Sequence, residues 1–320
     1  MKISIIGAAG NIGSCAACNI AIHEVADEVV MIDDYSPDGL EQYHYDLVSA
    51  VTGLDVDVRK GSYDDMYGSD IIIMAAGSAK ITASRREVLP QNLPLVVEMA
   101  DKIRQCCPET VVITVTNPVC PLDYAMQRRT GFDRKKVIGY SANDSIRFRM
   151  FVAQALGVPS SRLEGTVIGE HGDSQVLLFS SVRVDGKPVS MGDDAEEWVR
   201  RQVAGVPKML EAQRIKTGRT ATWTTSMGIT DICRAIADDT GDVFPCSIPL
   251  EGEYGYRDVA MSVPVVLGRG GVREVVELAL EPDEGERLER SVRAIRPMVA
   301  YVDEYLKNHA PQAVRRGKYE

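Results

Sequence analysis

Short apolar runs rich in valine and isoleucine alternate with longer stretches of helical period through the first half of the chain. The runs are Lys2 to Ile6, Glu28 to Ile32, Val56 to Arg59, Asp70 to Ala75, Thr110 to Thr116 and Lys136 to Gly139. Alternation of this kind predicts a parallel sheet with helices on both faces, a doubly wound α/β domain of the Rossmann type. Strands covered on both faces have no polar side. That is why Ile71-Ile72-Ile73-Met74 and Val111-Val112-Ile113 read as continuous apolar segments. The pattern predicts a first domain over residues 1–143.

Beyond that point the period changes. It predicts a helix from Asp144 to Ala155, a strand from Leu163 to Ile168, an amphipathic helix from Ala195 to Lys216 and another from Thr222 to Ala237. Val243 to Pro249 and Val259 to Leu267 read as strands, and the glycines of Glu251-Gly252-Glu253-Tyr254-Gly255 between them suit a hairpin connection. The last predicted helix, Pro282 to Lys307, opens on Asp283 and Glu284, acids that the positive end of a helix favours. A mixed α+β second domain over residues 144–320 follows, with only the tail from Ala310 loose.

Composition narrows the function classes. The 320 residues are 45% hydrophobic and 26% charged, ordinary for a folded globular chain. A net charge of −10 argues against nucleic acid or an anionic membrane as the main partner and favours small-molecule chemistry. The first apolar run, Ile3 to Ile6, is too short for a signal peptide or a membrane span, so a cytoplasmic protein is expected. Seven cysteines form an odd count without repeated paired spacing, which predicts reduced thiols. Cys15-Ala16-Ala17-Cys18 matches a C-x-x-C pattern but lies in a predicted helix with no second pair, so no metal site is expected.

The first strand ends in Gly7-Ala8-Ala9-Gly10-Asn11-Ile12-Gly13 and opens into a helix. Glycines there permit a tight turn and let backbone N–H groups approach a pyrophosphate at the positive end of the helix. Asp33 closes the second strand 20 residues after Gly13, where a carboxylate can accept both ribose hydroxyls. With Asp34 beside it, it would repel a 2′-phosphate, so NAD is expected rather than NADP. Thr114-Val115-Thr116-Asn117-Pro118 ends the fifth strand and puts Asn117 at the ligand crevice, or leaves it as a capping residue. Asp144 and Arg147, three apart, share a helix face. They form either an intrahelical ion pair or, facing a cleft, an orienting acid and a bidentate carboxylate clamp. His171 lies in Gly169-Glu170-His171-Gly172-Asp173-Ser174, a turn that is either solvated or open to a ligand beside an imidazole suited to proton transfer.

Taken together, these segments and the late strand Val263-Pro264-Val265-Val266-Leu267-Gly268 resemble the NAD-dependent lactate/malate dehydrogenases over nearly the whole chain. The resemblance implies that His171 is the proton acceptor, Asp144 its partner, Arg147 the clamp on the substrate C1 carboxylate and Asn117 a contact to substrate oxygen and nicotinamide. It places NAD against Gly7, Gly10, Asn11, Ile12, Gly13, Asp33, Ala76, Gly77, Asn92, Val115, Thr116 and Asn117. It also implies a homodimer or homotetramer, a role in the tricarboxylic acid cycle, and a closing loop that begins at Ala75-Ala76-Gly77.

In that loop the chain departs from the family. Relatives carry an arginine that polarises the substrate carbonyl and, upstream, a residue that selects substrate, Arg in malate enzymes and Gln in lactate enzymes. Counting forward from Gly77 puts the selector at Lys80 and the polarising residue at Arg86. Counting back from Asn92 gives Arg85, because one residue is missing between the anchors. Pro90 and Pro94 enter the helix that follows, so its start is expected to be displaced. Trp223 either narrows the pocket or packs in the core. The reading is an NAD-dependent dehydrogenase of a small L-2-hydroxy acid, with malate/oxaloacetate as the preferred pair. Lactate/pyruvate, another L-2-hydroxy acid, or a catalytically silent nucleotide-binding protein are the alternatives.

Overall fold

The computed structural model describes residues 1–78, 85–218 and 221–311, with Arg85 and Arg86 described in their backbone only. Six parallel strands come first: β1 (Lys2–Ile6), β2 (Glu28–Ile32), β3 (Asp57–Lys60), β4 (Ile71–Met74), β5 (Val111–Thr114) and β6 (Val137–Tyr140). Between them run α1 (Asn11–Ile22), α2 (Pro37–Ala50), α3 (Arg85–Cys106) and α4 (Val119–Thr130). The strands lie in the order β3-β2-β1-β4-β5-β6, all parallel. That is the doubly wound order in which the chain reverses direction between β1 and β4, and the crevice opens at the carboxyl ends of the strands there. β4 and β5 are buried at every position, as their unbroken Ile/Val runs predict.

The second half begins with α5 (Ala142–Leu156), then β7 (Leu163–Ile168), β8 (Val176–Val184), β9 (Lys187–Pro188), α6 (Asp193–Thr217) and α7 (Trp223–Ala237). It ends with β10 (Val243–Glu251), β11 (Arg257–Gly268), β12 (Gly271–Val275) and α8 (Pro282–Asn308). β10 and β11 form the expected antiparallel hairpin. The hairpin does not stand apart: β10 pairs with β6 through Cys246 and Tyr140 and through Ser247 and Gly139, so one sheet of nine strands runs through both halves. β7, β8 and β9 make a separate sheet of three strands. Between it, α5 and α6 lies a second core, where Phe148 meets Phe179 edge-on with ring centroids 5.1 Å apart.

Two further readings meet the structure here. α3 is already helical at Arg85 and continues through Pro90 and Pro94. Each proline removes a helical N–H. The helix persists because Leu89, Leu93, Val96, Ala100 and Ile103, spaced three and four apart, all lie buried on one face. Trp223 is not in the core. It stands 82% exposed in the first turn of α7, whose buried face carries Ser226, Ile229, Ile232, Cys233 and Ile236 instead.

Candidate active site

The glycine turn joins β1 to α1 under tight contact. Gly7 takes φ +87°, and a Cβ there would lie 2.5 Å from the backbone nitrogen of Ala76 at the end of β4. A Cβ on Gly13 would lie 2.2 Å from the Gly7 carbonyl oxygen, so only glycine lets the first turn of α1 approach the strand end this closely. The first helical N–H groups, those of Asn11, Ile12 and Gly13, lack intrahelical acceptors, and no acidic side chain stands in the first turn. They present donors and the positive helix end to an anion, which fits a diphosphate.

Asp33 follows β2 directly and holds this turn in place. Its Oδ2 accepts from the N–H of Ala9 at 3.1 Å, and its Oδ1 from those of Tyr35 and Ser36, both at 3.0 Å. A carboxylate offers about four acceptor positions. Three backbone donors hold the carboxylate in place at the end of β2, and its oxygens keep acceptor capacity on the crevice side.

Across the crevice, Thr116 and Asn92 tie the ends of β4 and β5 together. Thr116 Oγ1 lies 3.2 Å from the Met74 carbonyl and 2.6 Å from that of Ala76. Buried Asn92 accepts from the Ser78 N–H at 2.7 Å and donates through Nδ2 to the Asn117 carbonyl at 2.6 Å. Ala76, Gly77 and Ser78 are thereby fixed against Thr116 and Asn117, and Asn117 itself stays exposed at the strand end.

The acid–base candidates meet as the sequence places them. His171 Nδ1 lies 2.6 Å from Asp144 Oδ2, and the two residues are 8% and 7% exposed. A carboxylate accepts only, so Nδ1 carries the proton and Nε2 is left as the basic nitrogen. The turn that carries His171 is braced from several sides. Gly169 exchanges backbone hydrogen bonds with Ser262 of β11 at 2.9 and 2.8 Å. The Glu170 N–H donates to Ser291 Oγ of α8 at 2.8 Å, and the His171 N–H to the Cys120 sulfur at 3.3 Å. Ser262 also pairs its hydroxyl with that of Ser141, which precedes α5, at 2.8 Å. One residue of β11 thus ties down both the His171 turn and the helix start that carries Asp144.

Asp144, Arg147, Gly172 and Gln175 line a small cleft closed by Val203, Val206 and Pro207 of α6. Asp144 and Arg147 therefore face a common space, and Asp144 pairs with the imidazole. The sequence reading missed Gln175 and the α6 residues. Gln175 lies only four residues after His171, but nothing in its spacing marks it, and α6 reads from its pattern as an ordinary amphipathic helix. Lys80 lies outside the described residues, as do the side chains of Arg85 and Arg86. Among the described residues no group of three or more His, Cys, Asp or Glu is arranged to hold a metal ion.

Comparison with known proteins bears on this arrangement. A family model for the NAD-binding domain of lactate/malate dehydrogenase matches residues 1–139, and one for the alpha/beta C-terminal domain of lactate/malate dehydrogenase matches residues 143–304. The malate dehydrogenase of Natronomonas pharaonis is 37% identical over 295 residues, covering 90% of this chain and 95% of the relative. The malate dehydrogenase structure from Aeropyrum pernix superimposes with a TM-score of 0.85 at 30% identity, over 93% of this chain and 97% of that one. The Cryptosporidium parvum lactate dehydrogenase, solved with lactic acid and nicotinamide adenine dinucleotide, gives a TM-score of 0.88 at 30% identity, over 97% of this chain and 98% of the other.

Proposed function

The chain belongs to the lactate/malate dehydrogenase family, and from that premise we propose that it is an NAD-dependent 2-hydroxy acid dehydrogenase whose preferred pair is malate and oxaloacetate. The observation that carries the reading is the buried His171–Asp144 pair at 2.6 Å, whose Asp144 lines a cleft together with Arg147. The choice of malate rests on relatives named malate dehydrogenase at 33–37% identity. Lactate/pyruvate is the second reading, favoured by the lactate dehydrogenase among the structural neighbours.

NAD bound across the Gly7–Gly13 turn supplies the hydride acceptor in the direction of alcohol oxidation. The chain supplies the proton chemistry and the anchoring. His171 Nε2 takes the proton of the 2-hydroxyl, and Asp144, bonded to Nδ1–H, steadies the imidazolium that forms. Arg147 grips the C1 carboxylate through two parallel N–H donors, which turns the reacting carbon toward His171. Asn117, at the end of β5, contacts the substrate oxygen and the nicotinamide side. Asp33 and Asp34 favour NAD over NADP by charge. Lys80 is the proposed selector for a second carboxylate, acting as a point charge, and Arg85 or Arg86 polarises the carbonyl.

On this reading the NAD-binding and substrate-binding parts are residues 1–143 and 144–320, and the enzyme is a cytoplasmic homodimer or homotetramer of central carbon metabolism. The family resemblance and the seven free cysteines support that assignment. No helix among the described residues is long and apolar enough to cross a membrane. Initial rates of NADH oxidation with oxaloacetate, pyruvate and longer 2-oxo acids test the substrate. Oxaloacetate should turn over fastest, and a faster rate with pyruvate overturns the malate choice. Lys80→Gln should depress oxaloacetate turnover far more than pyruvate turnover, and equal effects remove Lys80 from the selector role.

A further inference from the structure

At the other end of the sheet, away from the cofactor turn, α3 finishes on two adjacent cysteines. The sulfurs of Cys106 and Cys107 lie 3.4 Å apart, both in buried residues. The Cys107 thiol donates to the Met66 carbonyl at 2.8 Å, and its own N–H closes the last turn of α3 on Ile103 at 2.8 Å. The pair lies directly under the surface. Tyr67 and Gly68 on one side and Pro108 and Glu109 on the other are exposed. Ser69 and Thr110, just before β4 and β5, mark this as the amino-terminal edge of the sheet.

We infer that Cys106 and Cys107 form a redox-active vicinal dithiol, closed to a disulfide by a hydroperoxide. A disulfide needs the sulfurs at about 2.05 Å, so they must approach by about 1.4 Å from where they stand. The surroundings favour Cys107 as the first sulfur to react. The ammonium of Lys2 lies near, itself anchored on the Tyr67 carbonyl at 2.7 Å. The Cys106 thiol beside it, helped by the neighbouring backbone and Lys2, holds the Cys107 thiol below its ordinary range against the opposing effect of burial, whereas burial prevails at Cys120, Cys233 and Cys246 and pushes them up. Asp64 is the acidic neighbour, and it acts on Cys106.

In the first step the Cys107 thiolate attacks one oxygen of hydrogen peroxide. An S–O bond forms, the O–O bond breaks, and the departing hydroxide takes a proton to become water. Cys106 then loses its proton and attacks the Cys107 sulfur. The S–S bond forms, the S–O bond breaks, and a second water leaves. Two thiols are oxidised and one peroxide is reduced. The disulfide consumes the thiol hydrogen that Cys107 gives to Met66, so oxidation unties the end of α3 from the turn before β4.

The test uses the full chain. After peroxide, alkylation in denaturant and tryptic digestion, the peptide from Gln105 to Arg128 should carry one alkylated cysteine, Cys120, in place of three. It should be lighter by two hydrogens before alkyl groups are counted, and a dithiol reductant should restore all three. In Cys106→Ser, or Cys106→Ala should the first fold poorly, Cys107 should be trapped as a sulfenic acid by a dimedone-type reagent. Three alkylated cysteines in that peptide, at exposures that already oxidise half-exposed Cys15 and Cys18, overturn the inference. So does a bond from Cys106 or Cys107 to any other cysteine, or conversion of Cys107 to sulfinic acid while Cys106 stays reduced.

Discussion

Two aspartates are buried near the starts of consecutive helices, Asp144 on α5 and Asp123 on α4, and they meet opposite surroundings. Asp144 has the His171 ring nitrogen at 2.6 Å and faces the cleft with Arg147. Asp123 has one weak partner, the Ser247 hydroxyl donating to Oδ2 at 3.2 Å, while Oδ1 has none. A Cβ on Gly139 would come within 3.0 Å of its carboxyl carbon, and Cys120 and Cys246 lie near. Burial pushes the Asp123 carboxyl well above the usual carboxylate range and favours its protonated, uncharged form. Depth is shared by the two residues. What separates a buried carboxylate that can orient a base from one that is only an uncharged filler is the partner across from it.

The largest expected effect breaks the Asp144 side of this contrast. Asp144→Asn replaces an obligate acceptor with an amide that can donate to Nδ1, which favours the tautomer with the proton on Nε2. The proposed base is then lost, and kcat for NAD-dependent malate oxidation should fall on the order of 10²- to 10⁴-fold. NADH affinity, read by fluorescence titration, should stay the same because the cofactor turn is untouched. Asp123→Asn should leave kcat near wild type. Equal losses in the two variants would mean that burial, not the imidazole partner, is what matters.

A smaller effect sharpens the cleft side. Arg147→Lys keeps the charge but loses the planar fork, and charge-assisted hydrogen bonds contribute roughly 1.5–3 kcal/mol each. The KM for oxaloacetate should rise about 10- to 100-fold with a smaller change in kcat. A fall in kcat with KM unchanged would assign Arg147 to positioning Asp144 rather than to holding the substrate.

The same contrast explains what the sequence could and could not convey. The parallel strands, the glycine turn and Asp33 follow from period and spacing, because those residues are bound to local geometry, whereas the pairing of Asp144 with His171 is implied by the family resemblance and spacing alone leaves an Asp144–Arg147 ion pair open. β8 was not foreseen, although the His171 turn precedes it, since Ser180 and Ser181 interrupt its apolar run. The fusion of the β10–β11 hairpin to β6 depends on a pairing more than one hundred residues apart, of Cys246 with Tyr140, which no local pattern encodes. Asp123 gives no signal either. An aspartate at its place in Pro121-Leu122-Asp123-Tyr124 reads as an exposed helical acid, and only packing against Gly139 and Ser247 removes it from water. The bracing of His171 by Cys120, Ser262 and Ser291 is tertiary in the same sense.

Asp123 also gives the most specific test, through stability and pH and without any expected change in turnover. Its proton affinity is raised in the folded state above that of the unfolded chain. The stability it contributes is fully present below the unfolded carboxylate range. It is lost progressively as pH rises from there to its raised folded value, because over that window the folded state must keep a proton that the unfolded state releases. Asparagine has no such proton. Urea unfolding of wild type and Asp123→Asn at a series of pH values from 5 to 8 should show the variant gaining on wild type as pH rises, by up to about 1.4 kcal/mol per pH unit. Parallel pH dependences in the two proteins would mean that Asp123 is charged in the folded state, and the contrast with Asp144 would then lie in geometry alone.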